Sequence, residues 1–326
     1  MLTIKSPSNF PPFNIASEEH LIKNFDENIF LLYINDPTII VGKHQNTLAE
    51  INTEYVQENG IHVVRRLSGG GAVFHDHGNL NFCFITNQDG DNKVDFRKYT
   101  QPIIDVLQSI GINAEFQGRN DLTIEGKKFS GNASHVHKNR VLHHGTILFD
   151  AKMDKLAKAL KADPLKFSDK AVKSIRSRVT NIKEHLHEPL TILELEQMIF
   201  NHINNLYPEA TPYTFSESDV KAIDKLVETK FNTWDWNYGY SPQYAFNKSF
   251  KTAGGKIEFH IEAQDGIINK IKIFGDFFAQ KPTEEIEALL TGVPHNPQKI
   301  SEKLDSIDFN AFFNGVPKEE FINGMF

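Results

Sequence analysis

The stretch RRLSGGGAVFHDHGNLNF, from Arg65 to Phe82, places a run of glycines between two apolar segments. Three consecutive glycines, Gly69 to Gly71, allow positive φ angles and a close approach of the backbone to a ligand. The pair Arg65–Arg66 comes shortly before them, so guanidinium groups stand beside exposed backbone N–H groups. Such groups together bind phosphate. The stretch therefore predicts an anion-binding turn around which the rest of the chain is organised.

Two familiar phosphate-binding loops are excluded by the residues around the glycines. No GxxxxGK[ST] pattern is present, so the turn is not a P-loop. A dinucleotide fingerprint would need a third glycine where the chain has Phe74, and a helix after it. The following AVFHDHGNLNFCFI is rich in β-branched and aromatic residues and predicts a strand instead. The remaining alternative is a hairpin connection that needs glycine only for its geometry.

Composition and charge exclude several classes of protein. The chain has 326 residues, enough for one large or two ordinary domains, and its 40% hydrophobic content is that of a globular protein. A net charge of -7 argues against a nucleic-acid partner, because proteins that bind nucleic acids usually carry an excess of basic residues. No run reaches membrane-spanning length and no signal-peptide pattern is visible, so we expect no membrane partner. The single cysteine, Cys83, indicates a cytoplasmic protein.

The hydrophobic pattern predicts an α+β protein. Helices are expected at 16–25, with Ser17 as the capping residue, at 48–59 and at 96–111. Segment 113–150 has strand composition broken by turn pairs, so it predicts a meander of strands.

A domain boundary is predicted near the turn-rich aromatic segment TWDWNYGYSPQYAF (233–246). Apolar stripes at 191–207 and 216–231 predict two helices before it. Three strands and then helices are expected after it, which makes a small α+β unit. We therefore expect domains at 1–246 and 247–326.

The segment GRNDLTIEGKKFSGNA (118–133) is the second informative cluster. Alternate residues of a strand share a face, so Lys128, Ser130 and Asn132 are expected to point the same way. Phe129 would then lie on the opposite face, in the core. Lys128 is the better lysine for chemistry on this argument, and the alternative is a surface strand with ordinary lysines.

Several residues are candidates for metal binding or thiol chemistry. Asn120 and Asp121 offer oxygen atoms for a divalent cation, although Asn-Asp pairs in turns usually bind the backbone. Zinc is disfavoured for the histidines, because neither a cysteine partner nor a helical HExxH motif accompanies them. Cys83 lies within the apolar run NFCFI, which indicates a buried structural thiol rather than a nucleophile. The arginines of IRSRVTN (175–181) are either a solvated charge run or a clamp on a phosphate.

Taken together, several strings resemble the lipoate–protein ligases of the biotin/lipoate ligase superfamily, in the family's order and spacing. They are RRLSGGGAVFHDHGNLNF, GRNDL, KKFSGNA, HHGT, SIRSRVTN and WDWNYG. The resemblance covers nearly the whole chain and departs from the family only slightly, with His77 at a variable place and Phe129 where Ile or Val is usual. It implies a mixed, largely antiparallel sheet flanked by helices, as the catalytic domain over 1–246. The small C-terminal unit over 247–326 is similar to the family's accessory domain.

The resemblance also implies a reaction in two steps. Lipoate and MgATP give lipoyl-AMP and pyrophosphate, and the lipoyl group then passes to a protein lysine with release of AMP. The implied cofactors are ATP and Mg²⁺, and the implied acid is lipoate, with octanoate as an alternative. The implied protein partners are the lipoyl domains of 2-oxoacid dehydrogenase acyltransferase subunits and the glycine cleavage H protein.

Residue by residue, the resemblance assigns roles within this sequence. Lys128 is the expected catalytic residue, in contact with both ATP and lipoate. The expected metal ligands are Asn120 and Asp121. Residues expected to bind the cofactor are Arg66, Gly71, Ala72, Val73, Phe74, Asp121, Lys128 and Arg178. Residues expected to bind the substrates are Arg65, Ser68, His75, Asn79, Ser130, Gly131, Ala133, His144, Gly145 and Thr146. The apolar walls expected for the acyl tail are Val73, Leu80 and Phe82.

Two other functions stay open at this point. An acyltransferase of the same superfamily would carry the acyl group on a cysteine and use no ATP, and the setting of Cys83 argues against it. A nucleotide-binding regulatory protein with a silent site would not need Lys128 with its neighbours.

Overall fold

The computed structural model describes residues 1–88, 95–118, 120–160, 178–240, 244–277 and 279–326. They form two compact units. The large unit comprises Met1–Lys43 and Glu54–Asn232, and the small unit comprises His44–Thr53 and Thr233–Phe326. Arg119 and most of the predicted loop and helix at 168–182 lie outside the described residues.

The chain contains both strands and helices. In chain order the strands are β1 (Leu2–Lys5), β2 (Ile29–Ile34), β3 (Thr38–Val41), β4 (His62–Arg65), β5 (Val73–His75), β6 (Asn79–Asn87), β7 (Ala114–Gln117), β8 (Asp121–Ile124), β9 (Lys127–His137), β10 (Arg140–Leu148), β11 (Thr211–Pro212), β12 (Tyr244–Thr252), β13 (Gly255–Gln264) and β14 (Ile267–Gly275). The α-helices are α1 (Pro11–Asn24), α2 (Thr47–Glu50), α3 (Thr53–Glu58), α4 (Phe96–Ser109), α5 (Met153–Ala159), α6 (Ile192–Leu206), α7 (Glu217–Leu226), α8 (Glu284–Leu290), α9 (Pro297–Leu304), α10 (Phe309–Phe312) and α11 (Lys318–Gly324).

The large unit is built on two sheets. The central sheet has eight strands in the order β11-β1-β2-β6-β10-β9-β8-β7. Only the pairings of β1, with β2 and β11, are parallel within it. In the second sheet, β3 lies between β4, which is parallel to it, and β5, which is antiparallel. The predicted mixed, largely antiparallel sheet is confirmed, and so is the meander, which is β7 to β10.

The two faces of the central sheet differ in chemistry. Along β6, Leu80, Phe82 and Phe84 alternate with more polar residues and belong to the core that α4 and α6 cover. Asn81 and Cys83 point to the other face, because successive side chains of a strand alternate. Helix α1 lies on that second face, where it contacts β6 and β10. Polar groups thus gather between the central sheet and α1.

Helix α1 begins earlier than the sequence suggested. It starts at Pro11, and Pro12 follows, with Phe10 as the residue before the first turn. Proline suits the first turn, because its φ is already helical and its missing N–H would have no partner there. Ser17 is therefore not a cap. It is buried inside the helix, where its Oγ donates to the carbonyl of Asn14 at 2.7 Å.

The small unit contains an antiparallel sheet, β12-β13-β14, with helices α8 to α11 following it. Ile257, Phe259 and Ile261 alternate along β13 and fill its core. Trp234 and Tyr238 also pack against this core, in agreement with the start of the unit's C-terminal segment at Thr233. The boundary predicted after residue 246 falls inside β12. The predicted three strands followed by helices are confirmed.

No helix among the described residues is long and apolar enough to cross a membrane.

Candidate active site

A cavity of about 210 Å³ lies in the large unit, among residues of the central sheet, the second sheet and α1. The residues that line it come from segments far apart in the chain, among them α1, the glycine turn after β4, strand β9 and strand β10. The residues that line it are Ile15, Tyr33, Ile40, Arg66, Gly70, Gly71, Ala72, Val73, His75, Asn81, Asn120, Lys128, Gly131, Asn132, Ala133, His144, Gly145 and Thr146.

Most of the predicted site residues meet at this cavity. Those that line it are Arg66, Gly71, Ala72, Val73, His75, Asn120, Lys128, Gly131, Ala133, His144, Gly145 and Thr146. The lining residues that the prediction did not name as site residues are Ile15, Tyr33, Ile40, Gly70, Asn81 and Asn132. Asn81 was within reach of the sequence, because it shares a strand face with Asn79, two residues earlier. Ile15 and Tyr33 carry no local signal, since only the tertiary fold brings α1 and β2 to the turn.

Arg66 holds the glycine turn in shape. Its guanidinium is almost fully buried, and Nη2 donates to the carbonyl oxygens of Gly69 and Gly71, each at 2.8 Å. Gly70 between them has φ +96°, and a Cβ there would lie 3.0 Å from Nη2 of Arg66. Burial lowers the pKa of Arg66 to about 10, so the group stays positive at neutral pH. The turn therefore keeps a fixed positive charge beneath it.

Arg65 has a different place from its neighbour. It is fully buried and does not line the cavity, because adjacent residues of β4 point to opposite sides. Its Nη1 donates to the carbonyl oxygens of Gly42 and Lys43, each at 3.0 Å. The predicted substrate contact of Arg65 is therefore not supported, and its role is to fix the chain after β3.

A bulge in strand β9 decides which way Lys128 points. Thr123 of β8 pairs with Lys128, but Leu122 pairs with Ser130, so Phe129 is the extra residue of β9. Phe129 lies in the core as predicted, and Ser130 is fully buried on the same face. The expectation that Ser130 shares a face with Lys128 is wrong, because simple alternation does not continue across a bulge.

Beyond the bulge, Gly131 lies next to the side chain of Lys128. A Cβ on Gly131 would lie 3.0 Å from Nζ of Lys128, so the lysine side chain passes directly over this glycine. The backbone N–H of Gly131 donates to Oγ1 of Thr146 at 3.2 Å. Asn132 lines the cavity, but its amide Nδ2 donates to Oγ of Ser130 at 3.1 Å.

Lys128 is the one predicted site residue with an exposed carboxylate partner on the neighbouring strand. Its Nζ lies 2.7 Å from Oδ1 of Asp121, and both side chains are 39% exposed. The backbone carbonyl of Lys128 accepts from the N–H of Thr180 at 2.9 Å, so the chain around Val179 runs beside it. Arg178 is exposed next to this point and does not line the cavity.

A buried polar network lies under the cavity. His144 places Nε2 2.6 Å from Oγ of Ser68, which also accepts from Nε of Arg66 at 2.9 Å. On its other side, Nδ1 of His144 lies 2.8 Å from the carboxylate of Glu18 in α1. The hydroxyl of Tyr33 donates to the same carboxylate at 3.0 Å. Ser68 thus braces the site from beneath, and Glu18 was not foreseen because it is 126 residues from His144.

Some predicted walls of the cavity lie elsewhere. Leu80 and Phe82 are fully buried on the opposite face of the sheet, so they cannot contact a ligand in this cavity. Phe74 points away from it, since its neighbours Val73 and His75 line it. Asn79 is buried and donates to Oδ1 of Asn81 at 2.9 Å. Leu80, Phe82 and Phe74 lie away from the cavity for one reason: each is next to a residue that does face it.

Cys83 is fully buried and does not line the cavity. Burial raises the pKa of its thiol, and the carboxylate of Glu18 raises it further. Within the described part of the chain, no group of three or more His, Cys, Asp or Glu side chains could hold a metal ion.

Comparison with known proteins identifies the family. The model of the lipoyl protein ligase A/B catalytic domain matches residues 11–204, and that of the bacterial lipoate protein ligase C-terminus matches residues 241–325. The chain belongs to the lipoate–protein ligases. The lipoate-protein ligase LplJ of Bacillus subtilis (strain 168) is 44% identical to this ligase over 319 residues, which are 97% of this chain and 96% of LplJ.

Two solved structures resemble the ligase over its larger part. One is the bi-partite lipoate protein ligase of Thermoplasma acidophilum, from a study that includes its E2 lipoyl domain. It has a TM-score of 0.67 and 29% identity over 74% of this chain and 97% of that one. The other is a lipoate-protein ligase A bound with ATP, with a TM-score of 0.64 and 26% identity over 73% of this chain and 98% of that one.

Proposed function

We propose that this lipoate–protein ligase carries out both of its half-reactions at the cavity beneath the glycine turn, with Lys128 in contact with both substrates. In the first, a carboxylate oxygen of lipoate attacks the α-phosphorus of ATP, and pyrophosphate leaves. In the second, the amine of an acceptor lysine attacks the acyl carbonyl, and AMP leaves. The observation that carries the proposal is the position of Lys128, which lines a cavity whose other wall is the arginine-braced turn.

The chemistry needs a cation at this position. A carboxylate and a triphosphate repel each other, so they reach attack geometry only when positive charge lies between them. Lys128 meets this need, because its Nζ is held by Asp121 at the rim of the cavity and stays accessible. The same charge stabilises the negative charge that develops on the phosphoryl oxygens as the bond to pyrophosphate breaks.

The glycine turn is proposed to hold the nucleotide. Gly71, Ala72 and Val73 line the cavity, and Arg66 fixes the turn from below. A turn that is already ordered binds phosphate without the entropy cost of ordering its own residues. Phe74 would contribute only its backbone, because its side chain is turned away from the cavity. Arg178, exposed beside Lys128, is proposed to approach the phosphates from the solvent side.

Magnesium is proposed to arrive with ATP. Mg²⁺ is usually held by one or two carboxylates together with substrate phosphates, so a dedicated cage is not needed. The residues present fit this pattern, because Asp121 offers a half-exposed carboxylate and Asn120 lines the cavity beside it. When bound there, the ion would shield the charge of the leaving pyrophosphate.

The acyl tail is proposed to lie along the apolar part of the cavity. Ile15, Ile40, Val73 and Ala133 supply this surface. Gly145 adds no side chain, because Phe82 and Asn132 already fill the space where its Cβ would be. The polar groups of Tyr33 and His144 are tied to Glu18, so they do not demand a polar ligand. Both lipoate and octanoate satisfy this arrangement.

The proposed acceptors are lipoyl domains of 2-oxoacid dehydrogenase acyltransferase subunits and the glycine cleavage H protein. Support for a lipoyl domain comes from the archaeal ligase, whose structural study includes its E2 lipoyl domain. The H protein is proposed because the family resemblance implies it. We place the reaction in the cytoplasm, where MgATP is available.

The test is an assay of pyrophosphate release from ATP with and without lipoate, followed by mass spectrometry of a lipoyl domain. We expect release only with lipoate, and a lipoyl mass increase on one lysine of the domain. Omitting Mg²⁺ tests its part separately. A mass increase without ATP would contradict the proposal and favour an acyltransferase.

A further inference from the structure

His75, at the end of β5, has a buried nitrogen for which the protein supplies no partner. Its ring lines the cavity and is only 3% exposed. Nδ1 lies 3.0 Å from Nδ2 of Asn35, just after β2. Nε2 has no hydrogen-bond partner among the described residues. A buried polar atom without a partner destabilises the fold, so a natural protein that keeps one at a ligand cavity leaves it for the ligand.

A chain of amides determines which ring nitrogen carries the hydrogen. The backbone carbonyl of Ser8 can only accept, and Nδ2 of Asn14 donates to it at 2.9 Å. The same Nδ2 donates to Oδ1 of Asn35 at 2.8 Å. Oγ of Ser6 lies 2.5 Å from Oδ1 of Asn14, which agrees with this orientation.

The direction then passes to the imidazole. Because Oδ1 of Asn35 accepts from Asn14, the Nδ2 of Asn35 is the group that faces His75, and it can only donate. Nδ1 of His75 must therefore be the unprotonated nitrogen. In a neutral imidazole the hydrogen is then on Nε2, which belongs to the ring that lines the cavity.

The ring stays neutral at physiological pH. Burial, together with the proximity of Arg66 and His144, lowers the pKa of His75 to about 3. The carboxylate of Glu18 is bonded to His144 and Tyr33. His75 thus adds a hydrogen-bond donor to the cavity without adding another positive charge.

We propose that Asn14 and Asn35 fix the tautomer of His75, so that its Nε2–H donates a hydrogen bond to a carboxyl oxygen of the acyl substrate. This deepens the proposed function and rests on it. A carboxylate oxygen is the strongest acceptor that the substrate offers, whereas a ring sulfur is a weak one. His75 is then a specificity residue for acids, and the two asparagines are positioning residues.

The test is Asn35→Asp in the full-length enzyme, with lipoate affinity measured by calorimetry from pH 5.5 to 8.5. The aspartate can still accept from Asn14, but it offers His75 a carboxylate that only accepts. It therefore raises the pKa of His75. Below that pKa the imidazolium still donates from Nε2. Above it, the single hydrogen stays on Nδ1, and the lone pair of Nε2 faces the substrate carboxylate.

The expected signature is a pH dependence that the wild type lacks. Lipoate affinity of Asn35→Asp should approach that of the wild type at pH 5.5 and fall by about tenfold or more at pH 8.5. Asn113→Asp, at an exposed position, is the matched control for one added negative charge and should follow the wild type. A variant profile parallel to the wild type at every pH would overturn the proposal.

A second pair of variants tests His75 directly. His75→Phe removes the donor and should weaken lipoate and octanoate by a similar factor of about ten, because both acids share the carboxyl group. His75→Gln keeps an amide donor and should recover most of the affinity. If His75→Phe weakens only lipoate, the acceptor is the dithiolane and the carboxyl assignment is wrong. If wild-type enzyme releases no pyrophosphate with lipoate, the proposed function itself fails, whatever the variants do.

Discussion

Arg66 and Lys128 line the same cavity, but they are held in opposite ways. Arg66 is almost fully buried, and its guanidinium is bonded to the backbone of the turn that it supports. Lys128 is 39% exposed, and within the described part of the chain its ion-pair partner is the equally exposed Asp121. The buried cation builds a wall, and the accessible one can change partners during a reaction. A positive charge at the cavity therefore does not by itself identify a catalytic residue. The number of hydrogen bonds and ion pairs that the side chain makes within the protein separates the two roles.

The largest expected effect is the loss of adenylation in Lys128→Ala. The ammonium offsets the repulsion between carboxylate and phosphate, a contribution of roughly 2–4 kcal/mol to the barrier, so pyrophosphate release should slow by a factor of roughly 30 to 900. Stability should hardly change, because the side chain is half-exposed. Transfer from pre-formed lipoyl-AMP should suffer less. Lys127→Ala is the matched control and should be mild, since Lys127 is exposed and does not line the cavity. The opposite ranking of the two lysines would remove Lys128 from the chemistry.

Arg66→Lys should reduce both stability and ATP affinity, because lysine lacks the planar fork that holds two carbonyls at once. We expect ATP affinity to fall about tenfold and the free energy of unfolding to fall by about 2 kcal/mol, measured by calorimetry and urea unfolding. Arg65→Lys is the matched control, since Arg65 is equally buried but does not line the cavity. It should lose stability and keep ATP affinity. Equal ATP affinity in both variants would show that the turn does not need its brace.

Gly131 and Gly145 both line the cavity, but the side chains beside them differ in how freely they can move. In Gly145→Ala the new Cβ would lie 2.2 Å from Oδ1 of Asn132 and 2.6 Å from the ring of Phe82. Both are fixed in the core, so we expect a loss of about 2 kcal/mol in urea unfolding. In Gly131→Ala the nearest atoms are the flexible end of Lys128, so stability should change by less than about 0.5 kcal/mol. Its cost should instead be a few-fold slower release of pyrophosphate, and the reverse pattern would contradict the geometry.

The smallest effect is expected for Cys83→Ser. The thiol is buried behind the cavity and its pKa is raised, so it cannot act as a nucleophile. Ligase activity should stay within about twofold of the wild type, because a lost weak thiol contact costs little. An acylated Cys83 found by mass spectrometry, together with an inactive variant, would show that the acyl group is carried as a thioester on Cys83 and not as an adenylate.

Much of the site was predictable because its signals are local in the chain. The arginine pair beside the glycine run indicated a phosphate site from neighbouring residues alone. Strand alternation placed Phe129 in the core and Lys128 on the opposite face. The same rule failed for Ser130, because the bulge at Phe129 adds one residue that no pattern of hydrophobicity reveals. For the arginine pair, strand alternation puts the side chains of Arg65 and Arg66 on opposite sides.

The family, the α+β class and the segments that meet at the cavity follow from the sequence, because motifs and periodicity are properties of neighbouring residues. Which side chains those segments present to a ligand depends on how the chain folds. The carboxylate of Glu18 reaches His144 across 126 residues, and the amides of Asn14 and Asn35 set the hydrogen of His75. Such contacts depend on register, bulges and packing, which fix distances of a few ångströms between parts of the chain that carry no trace of each other.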